Sequence, residues 1–159
     1  MPPFRVVAIP AEIAEAVRAT RLAPVYSHPA HAEIATGYGP CRLCLRDFVI
    51  GRDRRLLFTY DCFHGKEDLP LPGPVFIHES ACDRYPEDAG FPADSRRRPL
   101  TLNAYGRRRK LVAQEYVRDG AVEPILARLL DSNDVDYVHV RDTNAGCFDF
   151  TVERCLTRS

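Results

Sequence analysis

Six cysteines and five histidines carry most of the chemical range of this chain, and their spacing narrows it. Cys41-x-x-Cys44 is the sharpest local pattern. Two thiolates at that spacing can chelate a tetrahedral zinc ion, which then needs a second pair of ligands. His78-x-x-x-Cys82 is the best candidate for that pair, and Cys62-x-His64 is the runner-up. The same cysteines admit two other readings. A thiol–disulfide site needs a preceding strand and a following helix, whose N-terminus lowers the thiol pKa. Here Gly37-Tyr38-Gly39-Pro40 precedes, and a strand at Phe48-Val49-Ile50 follows soon after, so the context does not suit it. Plain burial of two small side chains is the commonest fate of such residues and stays the first reading.

A second group lies near the C-terminus. Tyr137, His139 and Arg141 alternate along one expected strand, with Asp149 expected across the ladder from Arg141. An arginine held by a carboxylate can bind an anion; the plainer reading is a cross-strand ion pair. Cys147 and His139 invite a nucleophile–base reading, but the expected register sets His139 opposite Thr151. At about 3.3 Å per residue that offset is roughly 13 Å, beyond hydrogen-bond reach. No phosphate-cradling glycine loop, His-Glu-x-x-His or Gly-x-Ser-x-Gly occurs.

The surrounding composition limits what these groups can serve. Lys plus Arg and Asp plus Glu both number 22, which removes the electrostatic case for a nucleic-acid binder. The basic run from Arg96 to Lys110 is the local exception, read as a solvated loop and turn. No apolar run is long enough to span a membrane. The start, Met1-Pro2-Pro3-Phe4-Arg5, lacks the form of a signal peptide. A cytosolic location is expected, with the cysteines reduced and no disulfide. At 159 residues the chain is expected to fold as a single domain, 1–159.

The elements that must position these groups follow from period and punctuation. Phe4–Ile9 reads as a strand, and Pro10 opens a helix with Ile13, Ala16 and Val17 on its apolar face. Residues near 21–40 lack a clear period and read as an irregular arm. Phe48–Ile50 and Leu56–Phe63 read as strands around a Gly51-Arg52-Asp53 turn. Leu56, Phe58, Tyr60 and Cys62 would share one face. Pro74–His78 is a short strand, and Asp83–Pro99 a long Pro-rich loop, long enough to serve as a lid. Leu100–Tyr105 and Lys110–Val117 read as a hairpin. A helix near Ala121–Leu130 presents Val122, Ile125, Leu126, Leu129 and Leu130. Val135–Thr143 and Cys147–Cys155 flank Asn144-Ala145-Gly146 as a three-residue hairpin loop. That loop puts Val138, Val140, Phe148, Phe150 and Val152 on one core face.

Several phrases in order resemble a bacterial family catalogued as domain of unknown function 1203. They are Gly39-Pro40-Cys41-Arg42-Leu43-Cys44-Leu45, Leu56-Leu57-Phe58-Thr59-Tyr60, Gly73-Pro74-Val75-Phe76-Ile77-His78, Leu102-Asn103-Ala104-Tyr105, and Val138-His139-Val140-Arg141 with Gly146-Cys147-Phe148. The resemblance runs from about Gly37 to Arg154. It implies a compact cytosolic domain and carries over no activity, cofactor or catalytic residue. A metal site built on Cys44 and His78 would belong to a subset of the family.

The expectation is therefore an α+β fold: a mainly antiparallel sheet, about two helices packed on one face, and long Pro-rich loops. The favoured function is a small cytosolic ligand-binding domain for an anionic small molecule, with Tyr137, His139 and Arg141 as its site. The alternatives are a thiol- or zinc-dependent enzyme or metal-binding protein using Cys41, Cys44, His78 and Cys82, and a homo-oligomeric module such as a homodimer. Zinc is the candidate cofactor; neither nucleic acid nor membrane is an expected partner.

Overall fold

The computed structural model describes residues 3–37 and 39–155. In chain order its elements are β1 (Phe4–Val7), α1 (Ala11–Thr20), β2 (His31–Ile34), β3 (Arg54–Asp61), β4 (Pro72–His78), β5 (Leu100–Gly106), β6 (Lys110–Val117), α2 (Glu123–Asp131), β7 (Tyr137–Asp142) and β8 (Phe148–Arg154). Among the described residues, two α-helices and eight strands, antiparallel in their pairings, make this an α+β fold. The strands are shared between two sheets, and the chain divides into two compact units. Among the described residues no helix is long and apolar enough to cross a membrane.

The first unit, Ala8–Arg84, contains α1 and the three-stranded sheet β2-β3-β4. Leu56, Phe58 and Tyr60 alternate along β3 and are buried, as period 2 predicts. Their register sets Leu56 opposite Ile77 and Phe58 opposite Val75, so one apolar face runs across both strands. On the other face Arg55 is buried, with its guanidinium 3.8 Å from the centre of the Phe76 ring and 5.4 Å from that of Phe48. Stacking on two rings offsets part of the cost of burying that charge. Glu33 of β2 accepts a hydrogen bond from Arg55 Nε at 3.3 Å. Thus the arm expected to be irregular near 21–40 supplies an edge strand, β2.

Two expectations in this unit need correction. The buried face of α1 is Ala14 and Val17 rather than Ile13, Ala16 and Val17. Phe48-Val49-Ile50 is not a strand. Instead Val49 O accepts hydrogen bonds from the Arg52 and Asp53 amides at 3.1 and 2.9 Å. The Val49 amide in turn donates to Asp53 Oδ2 at 2.7 Å. Gly51 supplies the positive φ of 79° that closing so tight a turn requires.

The second unit, Met1–Val7 with Tyr85–Ser159, holds α2 and a five-stranded sheet ordered β1-β8-β7-β5-β6. Leu126, Leu129 and Leu130 of α2 are buried, spaced as an amphipathic helix dictates. Val138, Val140, Phe148, Phe150 and Val152 are buried as expected, but they do not share one face. A register shift between Val140 and Arg141 sets Val140 opposite Phe150 and Arg141 opposite Phe148. Phe148 therefore meets the ring of His139 at 4.9 Å, while Phe150 meets Phe91 at 5.3 Å. The cause is the turn. Asp142, not Thr143, faces Cys147, and its carboxylate accepts the Ala145 amide at 2.9 Å. That side-chain bond favours a longer loop than the one expected.

The β5–β6 hairpin depends on Gly106. A Cβ there would lie 2.3 Å from the Asp134 carbonyl oxygen, a backbone atom that cannot swing aside. Gly106→Ala is expected to destabilise the second unit by about 1–3 kcal/mol. Urea denaturation checks this, and an unchanged midpoint would refute the close approach.

Candidate metal centre

Four side chains converge inside the first unit: Cys41, Cys44, His78 and Cys82. The first two come from a narrow backbone loop. Pro40 and Asp47 bridge antiparallel, the Cys41 amide donates to Arg46 O at 2.9 Å, and the Leu45 amide donates to Cys41 O at 2.7 Å. Leu45 takes a left-handed φ of 59°, which turns the chain directly after Cys44. The loop is fixed in place by the Arg42 amide, which donates to Phe76 O of β4 at 2.9 Å. His78 is the last residue of β4, and Cys82 follows beyond the next bend. Strand pairing to β3 and this single backbone tie therefore bring two sequence-distant pairs together.

The ligand atoms all lie within 4.8 Å of one another. Cys41 Sγ and Cys82 Sγ are 3.8 Å apart, and Cys44 Sγ lies 3.5 Å from His78 Nδ1. A tetrahedral zinc ion with Zn–S near 2.3 Å and Zn–N near 2.05 Å requires sulfur–sulfur edges of about 3.8 Å and sulfur–nitrogen edges of about 3.6 Å. Both edges match. Three thiols and an imidazole are also the donor types that zinc selects in four-coordinate sites.

A second ring of contacts orients these ligands. His78 Nε2 lies 3.3 Å from Asp53 Oδ2, which leaves Nδ1 facing the cluster. A carboxylate on the outer nitrogen of a ligating histidine fixes its tautomer and ring plane. Phe48 packs edge-on against the His78 ring, with centroids 4.7 Å apart. The His78 amide donates to Cys41 Sγ at 3.3 Å. From α1, Arg18 donates through Nε to His78 O at 3.0 Å and through Nη2 to Cys82 Sγ at 3.3 Å.

The electrostatics suit a cation. Cys41 is pushed well below the ordinary thiol range by hydrogen bonds from Cys44 and Cys82, which outweigh its burial. Cys44 is pushed up by its hydrogen bonds to Cys41 and Cys82 and by burial. His78 is raised by its contact with Cys82, against burial, with help from Asp53. Asp53 is lowered first by the Val49 amide and then, against its burial, by His78. A metal ion bound here would displace the thiol protons of the ligating cysteines.

The runner-up pair is not part of the group. The Cys62 amide donates to Leu71 O at 3.4 Å, and His64 lies against the Tyr60 ring with centroids 6.0 Å apart. The other proposed residues lie on the five-stranded sheet. Tyr137 and His139 are buried among rings, with centroids at 5.3 Å from each other and with Tyr105 at 5.8 and 5.2 Å respectively. Arg141 is opposite Phe148, not Asp149, and its Nη1 donates to Gly146 O at 3.3 Å. In the 83–99 loop, Phe91 packs against the Phe150 ring with centroids 5.3 Å apart. His139 does pair with Thr151, which keeps it out of register with Cys147. In the basic run, Arg96 pairs with Glu123, Arg97 with Asp94 and Arg98 with Asp142.

Asp53 and Arg18 were not among the residues that the sequence singled out. Neither has a diagnostic spacing to a ligand. Only the turn signal at Gly51 and the helical position after Val17 hinted at where they would lie.

No curated protein and no solved structure matches this chain. Residues 38–154 match the profile of a family described as Protein of unknown function (DUF1203), and the chain belongs to that family.

Proposed function

We propose that this protein is a zinc-binding domain whose ion is held by Cys41, Cys44, His78 and Cys82. The observation that carries the reading is the agreement of two independent edges, 3.8 and 3.5 Å, with a tetrahedron around zinc. The ring of outer contacts supports it, since Asp53 does for His78 what a carboxylate does in zinc sites generally. Four protein ligands fill a tetrahedral shell, which makes the site structural: no position stays open for an activated water. The anion-binding alternative rests on Arg141 alone, because Tyr137 and His139 are enclosed among rings.

A thiol-enzyme reading has one specific observation in its favour. Cys44, His78 and Asp53 line up with separations of 3.5 and 3.3 Å, in the order nucleophile, base and orienting carboxylate. Against it, Cys44 is only 8% exposed and two further thiols share its site. A nucleophile needs access, whereas a metal ligand does not.

The test is metal content and cobalt substitution on protein purified under reducing conditions. The expected result is one zinc per chain, replaceable by cobalt with a thiolate-to-cobalt charge-transfer band. Cys44→Ser and His78→Ala should each reduce retention strongly, while Cys147→Ser leaves it unchanged. Uptake should release protons and weaken on acidification, because the ligating thiols must ionise. A metal-free protein with a single hyperreactive thiol at Cys44 would replace this reading with the enzymatic one.

A further inference from the structure

Resting on the zinc reading, we infer that Arg18 is a charge-neutralising guard of the site that shields Cys82, the sulfur most open to attack. Three thiolates and one zinc ion carry a net charge of minus one. The guanidinium of Arg18 is a cationic group in contact with a ligating sulfur, with Nη2 3.3 Å from Cys82 Sγ. Its Nε donates at the same time to His78 O at 3.0 Å, so one rigid fork spans two successive ligands, His78 and Cys82. Arginine suits this task because its donors are planar and fixed in geometry. Asp53, the acidic group of the outer ring, faces the imidazole and not a sulfur.

Cys82 needs such a guard more than its partners do. Cys41 and Cys44 are buried, whereas Cys82 is partly exposed. A zinc-bound thiolate keeps a lone pair that can attack an electrophile. A charge-assisted hydrogen bond to that sulfur withdraws electron density and lowers its nucleophilicity. Arg18 is placed for this by α1 itself: Val17 and Ala14 anchor the helix, and the next residue after Val17 lies at the rim of the site.

The experiment uses the full chain loaded with zinc, treated with iodoacetamide, with each cysteine followed by mass spectrometry. The thiolate sulfur displaces iodide and forms a thioether. In Arg18→Gln, alkylation of Cys82 is expected to rise about tenfold, the low end of the effects that losing an outer contact has on metal affinity or activity. Cys41 and Cys44 should keep their wild-type rates. Arg18→Lys retains the charge without the fork and should fall between the two, and it carries the test if the glutamine variant does not fold. The cobalt-substituted spectra of both variants establish that the four ligands remain in place. Acceleration of all three sulfurs together, or no acceleration of Cys82 in either variant, would overturn the guard role while leaving the zinc reading intact. A wild-type chain that takes up neither zinc nor cobalt overturns both.

Discussion

If the proposed zinc site is filled, its chelation is expected to open the first unit locally while leaving the second unit untouched. Ligand binding stabilises the native state by about 4 kcal/mol when free metal exceeds its dissociation constant a thousandfold. That contribution disappears on chelation. Much of the unit has its own apolar core in Leu56, Phe58, Phe63 and Ile77, so β3 and β4 should persist. The weak points are the segments whose geometry the ion fixes. The amides of Cys41 and Leu45, which close the 40–47 loop, and that of His78, which points at Cys41 Sγ, should lose exchange protection first. Amides of β7 and β8 should not change. Hydrogen exchange with and without chelator reads this directly, and uniform loss across both units would contradict it.

The largest single-residue effect is expected at Phe150. Its ring is fully buried, packs against Phe91 at 5.3 Å and shares its sheet face with Val140 across the ladder. Truncation to alanine removes the transfer free energy and leaves a cavity, a combined loss of about 3–5 kcal/mol. Tyr116, exposed on β6, provides the contrast, since surface truncations lie within about 0.5 kcal/mol. Equilibrium unfolding of Phe150→Ala and Tyr116→Ala checks the pair. Equal losses in the two would show that Phe150 does not lie in the core.

How far the sequence foretold this depends on the kind of signal each feature leaves. Alternation along β3 and the stripe of α2 were legible because burial imposes a period, and period survives in sequence. The converging group was legible in part: Cys41-x-x-Cys44 stood out by its spacing, whereas His78-x-x-x-Cys82 was one of two candidate second pairs and plain burial was the first reading of the cysteines. What could not be read were features decided by one side-chain hydrogen bond. Asp142 capping Ala145 lengthens the C-terminal turn, and the resulting shift moves Phe148 to the other face of the sheet. Asp53 capping Val49 converts an apparent Phe48–Ile50 strand into a turn, and so aims its carboxylate at His78. Phe48-Val49-Ile50 has strand-forming residues, but the contacts of Asp53 and Gly51 decide its shape. The Tyr137–His139–Arg141 face looked polar by residue type, yet aromatic neighbours on β5 and β8 enclose two of its three members.

The sheet order β1-β8-β7-β5-β6 has a consequence for how copies of this protein behave in concentrated solution. β6 is a rim strand, and Leu111, Val112 and Tyr116 along it are exposed. A flat apolar rim of this length invites strand-to-strand addition and, with it, aggregation. Three features oppose that growth. The β5–β6 ladder changes register between Ala104 and Tyr105, which disturbs the flat edge. Lys110 starts the strand with a charge that a docking strand would have to desolvate. Arg128 of α2 holds Glu115 at 2.8 Å and so fixes a second charge on the rim. Replacing these charges with apolar residues is expected to leave the register shift as the remaining protection and to increase self-association.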